Sequence, residues 1–245
     1  MTALPFSWHW LVYLKPYTPL FSINSFSLFG ITEVDNNLTG TIPPEIGALK
    51  LQNLYLRQNY INGTVPDAIR GLGSHLREID LEYNLLTGTV PDIFDALPNL
   101  THFLSSVNSL SGTLPQTVNG HSNLQRFHVS FNDLTGSLPW NFSTLLSLEY
   151  LDLNSNELTG TIPSTIGDLS NVLYLGLFLN KLSGTIPESF SELKRLKVAH
   201  MSNNYNIYGT IPLGFFDLPD LMAFTAAWNI LTGPIPENIA NATNL

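Results

Sequence analysis

Six histidines and three alternating carboxylates are the residues of this 245-residue chain whose types could do chemistry. The histidines are His9, His75, His102, His121, His128 and His200. A zinc hydrolase needs two histidines one helical turn apart with a glutamate beside them, so that ligands and base converge on one metal. No histidine here stands in that pattern. His128 and His200 lie 72 residues apart. In a stack of 24-residue units that is three strands, roughly 14 Å at a strand spacing of about 4.8 Å, too far to share a metal. His102 and His128 fall on neighbouring strands in offset columns. The histidines read as exposed polar positions. Glu78, Asp80 and Glu82 alternate, so in a strand all three face one side. Such a trio could hold Ca²⁺, but calcium sites draw several ligands from one tight loop. Arg57 falls in the column of Glu82 one strand away, and the reading adopted is a solvated cross-strand ion pair. Acid–base work is not expected of the trio, because no apolar surroundings are apparent to raise a carboxylate pKa.

The other catalytic patterns also fail. Gly71-Leu72-Gly73 lacks the third glycine and the lysine of a phosphate cradle. There is no G-x-S-x-G elbow. With no cysteine there is no disulfide framework, thiolate zinc site or thiol nucleophile. The formal charge of -9, from 10 Lys plus Arg against 19 Asp plus Glu, argues against a nucleic-acid surface, which needs clustered cations. The expectation is a non-enzyme with no catalytic residue, no metal and no cofactor.

The elements that carry these residues come from a repeat. Asparagine is in excess, with 24 residues, and nine of them recur in register: Asn36, Asn59, Asn84, Asn108, Asn132, Asn156, Asn180, Asn204 and Asn229. The steps are 23, 25, 24, 24, 24, 24, 24 and 25. Segments such as Leu148–Pro163 (LEYLDLNSNELTGTIP) and Val172–Pro187 (VLYLGLFLNKLSGTIP) fit L-x-x-L-x-L-x-x-N-x-L-x-G-x-I-P. A fixed period of this length means a solenoid. L-x-L alternation makes a short strand with both leucines inward. The asparagine can bond backbone groups in the turn that follows, so stacked asparagines form a ladder that should be buried. The stretch after the proline, as in Ser164–Leu169, is short enough for a 3₁₀ turn on the convex side.

These residues resemble the plant-type leucine-rich repeat, with its 24-residue period and N-x-L-[TS]-G-x-[IVL]-P signature, over roughly residues 28–245. The resemblance implies a right-handed α/β solenoid with a parallel concave sheet. It also implies a recognition scaffold for a protein or peptide ligand, as in receptor-like ectodomains and secreted inhibitors of cell-wall-degrading enzymes. The location it implies is extracellular or membrane-anchored; the residues alone do not exclude a cytoplasmic one. Two other readings stay open: an ice- or polysaccharide-binding surface, and the regulatory region of a receptor kinase whose catalytic domain lies outside this chain. Residues 1–27 depart from the repeat and read as an irregular segment or degenerate cap. Glu33 replaces an inward leucine in the first unit, and the eighth unit has one extra residue, which predicts a bulge near Tyr205–Tyr208. The last residue falls on the first leucine of a tenth unit, as in a fragment of a longer array. No apolar run reaches membrane-span length, so any anchor belongs to a full-length protein.

Strand alternation predicts which side chains face a partner. The first half of the concave surface is charged; the second is aromatic and small. The candidate partner-binding residues are Arg126, His128, Tyr150, Asp152, Tyr174, Phe178 and Trp228, because exposed aromatics on a rigid sheet anchor interfaces. Asn154 is expected to point outward and to be dispensable. Files of threonine, Thr87, Thr135 and Thr159 in one and Thr89, Thr113 and Thr161 in the next, are what an ice-binding face would need. Five N-x-[ST] sequons (Asn37, Asn62, Asn99, Asn141, Asn241) are close to the about four that 24 asparagines would give by chance.

Overall fold

The computed structural model describes residues 30–139 and 141–244. The expected N-terminal segment 1–27 lies outside them. Each L-x-L unit forms one three-residue strand. We number these strands β1 (Gly30–Thr32), β2 (Asn53–Tyr55), β3 (Glu78–Asp80), β4 (His102–Leu104), β5 (Arg126–His128), β6 (Tyr150–Asp152), β7 (Tyr174–Gly176), β8 (Val198–His200) and β9 (Ala223–Thr225). They pair in chain order as a nine-stranded sheet, parallel throughout, in the right-handed solenoid expected. The register is regular: Arg126, Tyr150, Tyr174 and Val198 are successive partners, as are His128, Asp152, Gly176 and His200. The convex side is built of 3₁₀ turns, such as Ser164–Asp168 and Glu188–Glu192, most of them entered from a proline in extended conformation.

One hydrophobic core runs the length of the stack, with inward residues such as Leu54, Ile79, Leu151 and Leu175 almost fully buried. Phe103 and Phe127 replace leucines in mid-array, Phe94 stands in a 3₁₀ turn where some other units have isoleucine or valine, and the three rings meet with centroids 5.2–5.7 Å apart. Aromatic pairs at this distance gain more than their area alone.

The turn after each concave strand shows why asparagine recurs. The residue before each ladder asparagine is left-handed, from Asp35 (φ 56) to Trp228 (φ 56), and this includes the β-branched Val107 (φ 56). That conformation turns the asparagine inward. In mid-array Asn156 accepts from Leu134 N at 3.0 Å and donates to the carbonyls of Val129, Leu153 and Asn154. Asn59, Asn84, Asn132, Asn156, Asn180 and Asn204 are all buried, as expected. Three are less covered. Asn108, in mid-array, and Asn229 are half-buried, and Oδ1 of Asn229, just after the bulged unit, has no partner among the described residues. Asn36 is exposed, and among the described residues its side chain bonds only Val34 O of its own turn; the unit before it lies outside them. The predicted bulge is present: Tyr205 (φ 63) adds a second left-handed residue after Asn203.

A second sheet flanks the first, and the sequence reading did not foresee it. The L-x-G-T segments pair as five strands from Thr39–Gly40 to Asp133–Thr135, and as three more from Ser183–Thr185 to Ile230–Leu231. Glycine and threonine interlock between neighbours. Gly88 sits at φ 77, and a Cβ there would lie 2.8 Å from the Thr64 methyl of the preceding unit. The same contact recurs from Gly63 on Thr41 to Gly233 on Thr210. The second threonine file therefore has a packing role of its own: its methyl groups cover the glycine backbone of the next unit.

Candidate functional site

The sheet register brings five of the seven candidate partner-binding residues into one patch at the centre of the concave face. Arg126, Tyr150 and Tyr174 stand in one column on β5, β6 and β7. The Arg126 guanidinium lies 4.6 Å from the Tyr150 ring centroid, and the Tyr150 and Tyr174 rings stack at 6.4 Å. His128 packs edge-on against Tyr150 at 6.3 Å, and His200 against Tyr174 at 5.9 Å. Asp152 lies between His128 and Gly176 in the next column. Phe178 follows β7 and is half-buried. Trp228 stands apart: it is one of the left-handed turn residues and is 71% exposed on the rim beyond β9.

Asn154 overturns the expectation of a free outward side chain. It is 3% exposed. Its Oδ1 accepts from Phe178 N at 2.8 Å, and its Nδ2 donates to the Tyr174 hydroxyl at 3.0 Å. Gly176 makes room for this, because a Cβ there would lie 2.5 Å from Asn154 Nδ2 and 2.7 Å from Asp152 Oδ1. Two other residues of the column after the concave strands make the same bond to the next unit. Ser106 Oγ accepts from Ser130 N, and Ser202 Oγ from Ala227 N. The physical cause is the strand's end: its next N–H would otherwise point at no partner. Asn154→Ala is expected to cost about 1–2 kcal/mol, since it leaves the Phe178 N–H unpaired. Urea unfolding checks this, and a midpoint unchanged from wild type would show that water replaces the bond.

The charged half also differs from expectation in one respect. Arg57 and Glu82 pair as foreseen, and Arg57 lies over the Tyr83 ring. Tyr55 donates to Glu78, and burial with Glu78 beside it pushes its pKa up to about 12. Yet Glu82 is buried rather than solvated. Burial raises the pKa of Asp80 and of Glu82, against the pull of Arg57. Tyr55, Arg57, Glu78 and Asp80 line a cavity of about 340 Å³ with Leu104 and Arg126. No cluster of three or more metal-ligating side chains occurs among the described residues.

His102, His121, His128 and His200 are less exposed than expected, whereas His75 is exposed; His9 lies outside the described residues. His121 is buried, with Nε2 2.9 Å from Leu97 O. Burial, with Arg126 and His102 nearby, lowers the His128 pKa to about 4, and its Nε2 is buried without a partner among the described residues. The unfolded chain, with an ordinary pKa near 6.5, then takes up the proton first. His128 therefore contributes stability above pH about 6.5, which is lost as the pH falls toward 4. Asp152, whose pKa burial raises, acts in the opposite sense on acidification. The clean readout is the difference between wild type and His128→Leu, which copies Leu104 of the same column. Wild type should lose about 1–2 kcal/mol relative to the variant between pH 7 and 4 in unfolding experiments. Parallel pH profiles would contradict the burial of a neutral imidazole.

A second set of asparagines escaped the sequence reading. Asn99, Asn123, Asn171 and Asn244 share one repeat position before the concave strand, and each donates to a carbonyl 25 residues earlier. Their steps of 24, 48 and 73 residues, which follow the repeat with its one extra residue, were the signal available.

Comparison with known proteins gives this geometry its context. A family model described as leucine rich repeat matches residues 49–110 and 146–205, and a second leucine-rich-repeat model matches 123–145. No curated protein matches. Among solved structures, the plant peptide hormone receptor RGFR1 in complex with RGF2 is 36% identical, with a TM-score of 0.83, over 86% of this chain and 34% of that one. PEPR1–AtPEP1 is 28% identical, with a TM-score of 0.72, over 88% of this chain and 37% of that one. A plant ice-binding protein is 29% identical, with a TM-score of 0.64, over 84% of this chain and 74% of that one. The chain thus spans about a third of the length of the two receptor structures.

Proposed function

The chain belongs to the leucine-rich repeat family, and on that premise we propose that it is a non-catalytic recognition scaffold whose concave sheet binds a peptide or protein. The observation that carries this reading is the stacked column Arg126–Tyr150–Tyr174, flanked by His128 and His200, on a sheet held by hydrogen-bond ladders. Aromatic and arginine side chains on a rigid support lose little entropy on binding and dominate interface energetics. The likeness to a peptide hormone receptor supports a peptide partner and an extracellular location. We assign the chain to a receptor-like ectodomain in preference to a free inhibitor, with any membrane anchor or kinase outside these residues. No helix among the described residues is long and apolar enough to cross a membrane. The net charge of -9 weighs against nucleic acid as a partner.

A second reading is favoured by one observation. The second sheet and the segments that continue it expose parallel files of hydroxyls, Thr87, Ser111, Thr135 and Thr159 beside Thr89, Thr113, Ser137 and Thr161, and the plant ice-binding protein is similar over most of its length. The interlock of the second file with the glycines accounts for those threonines by packing alone, which places this reading second. A selection from a random peptide library separates the two. Binders that are lost with Tyr150→Ala and kept with Thr135→Val support the concave site. An absence of binders, together with a thermal hysteresis abolished by Thr135→Val, would support the hydroxyl face.

A further inference from the structure

The five sequons look alike in the sequence, but the fold separates them. Asn99 is half-buried, and its Nδ2 donates to Ser74 O at 2.8 Å as a rung of the ladder formed with Asn123 and Asn171. The hydroxyl of its sequon, on Thr101, is likewise bound, to Arg77 O at 3.0 Å. Asn241 donates its amide to Asp217 Oδ1 at 2.7 Å. The other three amides have no protein partner among the described residues. Asn37 and Asn62 are exposed, and neither side chain has a bond to protein among the described residues. Asn141 is exposed and caps the 3₁₀ turn Phe142–Thr144 with Oδ1, which accepts from Ser143 N and Ser143 Oγ; its Nδ2 has no protein partner among the described residues. The oxygen is thus held by the turn while the nitrogen is presented to solvent.

We propose that Asn37, Asn62 and Asn141 are N-glycosylation sites, and that Asn99 and Asn241 are structural residues within sequon sequences. The inference rests on the extracellular reading above. In the modification, the amide nitrogen bonds to the anomeric carbon of an oligosaccharide carried on a lipid diphosphate. The carbon–oxygen bond to the diphosphate breaks, the lipid diphosphate leaves with the bonding pair, and the amide gives up one proton. The folded solenoid accommodates the product only where the amide points clear of the neighbouring unit. At Asn99 it points into that unit, and a sugar there would displace the Ser74 bond. At Asn62 it would stand over the hydroxyl file between Thr39 and Thr87, so occupancy there also counts against a flat binding face on that sheet.

The test directs the full chain into the secretory route of a eukaryotic cell with an added leader. Secreted, folded protein is then digested and its glycopeptides weighed. Asn62 and Asn141 should be occupied in most molecules, and Asn99 in few. Asn62→Gln and Asn141→Gln should each remove one glycan's mass without loss of secretion. Equal occupancy at Asn99 and Asn62, or a bare Asn62 beside occupied Asn241, would overturn the assignment. Protein recovered from its own source without glycans, when the leader-directed chain carries the expected pattern, would sink the extracellular reading and uphold the site assignment.

Discussion

Asn156→Leu should destabilise the solenoid by about 3 kcal/mol or more, whereas Asn36→Ala, at the same repeat position, should change stability by no more than about 0.5 kcal/mol. Leucine matches asparagine in size closely enough to fit the turn, so the effect isolates hydrogen bonding. Asn156 serves two groups of the preceding unit, the N–H of Leu134 and the carbonyl of Val129, and two carbonyls of its own turn. The side chain is 7% exposed, so water does not readily take its place. Each buried group left unpaired costs about 1–3 kcal/mol, and at least two are left. Asn36 is exposed, and among the described residues its side chain contributes only a bond to Val34 O. Urea unfolding of both variants measures the contrast. The period alone predicts equal losses at both positions; the bonding in the structure predicts a large one and a negligible one. Similar midpoints would mean that asparagine is retained for its turn preference and not for the ladder.

The array was legible because its repeat was. Position-specific demands, such as inward leucines and a turn asparagine, recur often enough for the strand count, the concave sheet and the convex 3₁₀ turns to follow from spacing. What escaped were effects that depend on the neighbouring unit. Asn154 sits at a position that alternation marks as outward, yet it folds over Gly176 and reaches the next strand, because that strand offers an unpaired N–H and a glycine offers space. Glu82 and His128 are outward in the same sense and still lose most of their hydration, since a concave sheet crowds side chains that a flat one would leave free. The candidate site was partly legible for the same reason: columns can be read from register, but Trp228 was grouped with the patch by its type alone. Its place in the turn, left-handed and on the rim, separates it from Tyr174.

Tyr174→Ala should weaken partner binding by about 2 kcal/mol or more, roughly thirtyfold, and should leave the fold intact. The ring is half-buried between Tyr150 and His200, and Asn154 orients its hydroxyl. An aromatic held on both faces and at its tip presents a preformed surface, and little freedom remains to be lost when a partner covers it. Removing it also frees Tyr150 and Arg126, whose stacking depends on the same column, so the loss exceeds that of one contact. Tyr174→Phe keeps the stack and loses only the bond from Asn154. It should retain most of the affinity, which distinguishes an aromatic anchor from a hydroxyl contact. Glu78, at the other end of the sheet, is tied to Tyr55 and lies 3.8 Å from His102. Its truncation should alter the association rate and its salt dependence more than the lifetime of the complex. Titration of a selected peptide against the three variants, with thermal melts to confirm folding, measures all of this. If Tyr174→Ala binds as tightly as wild type while Trp228→Ala does not, recognition lies on the rim and not in the centre of the concave sheet.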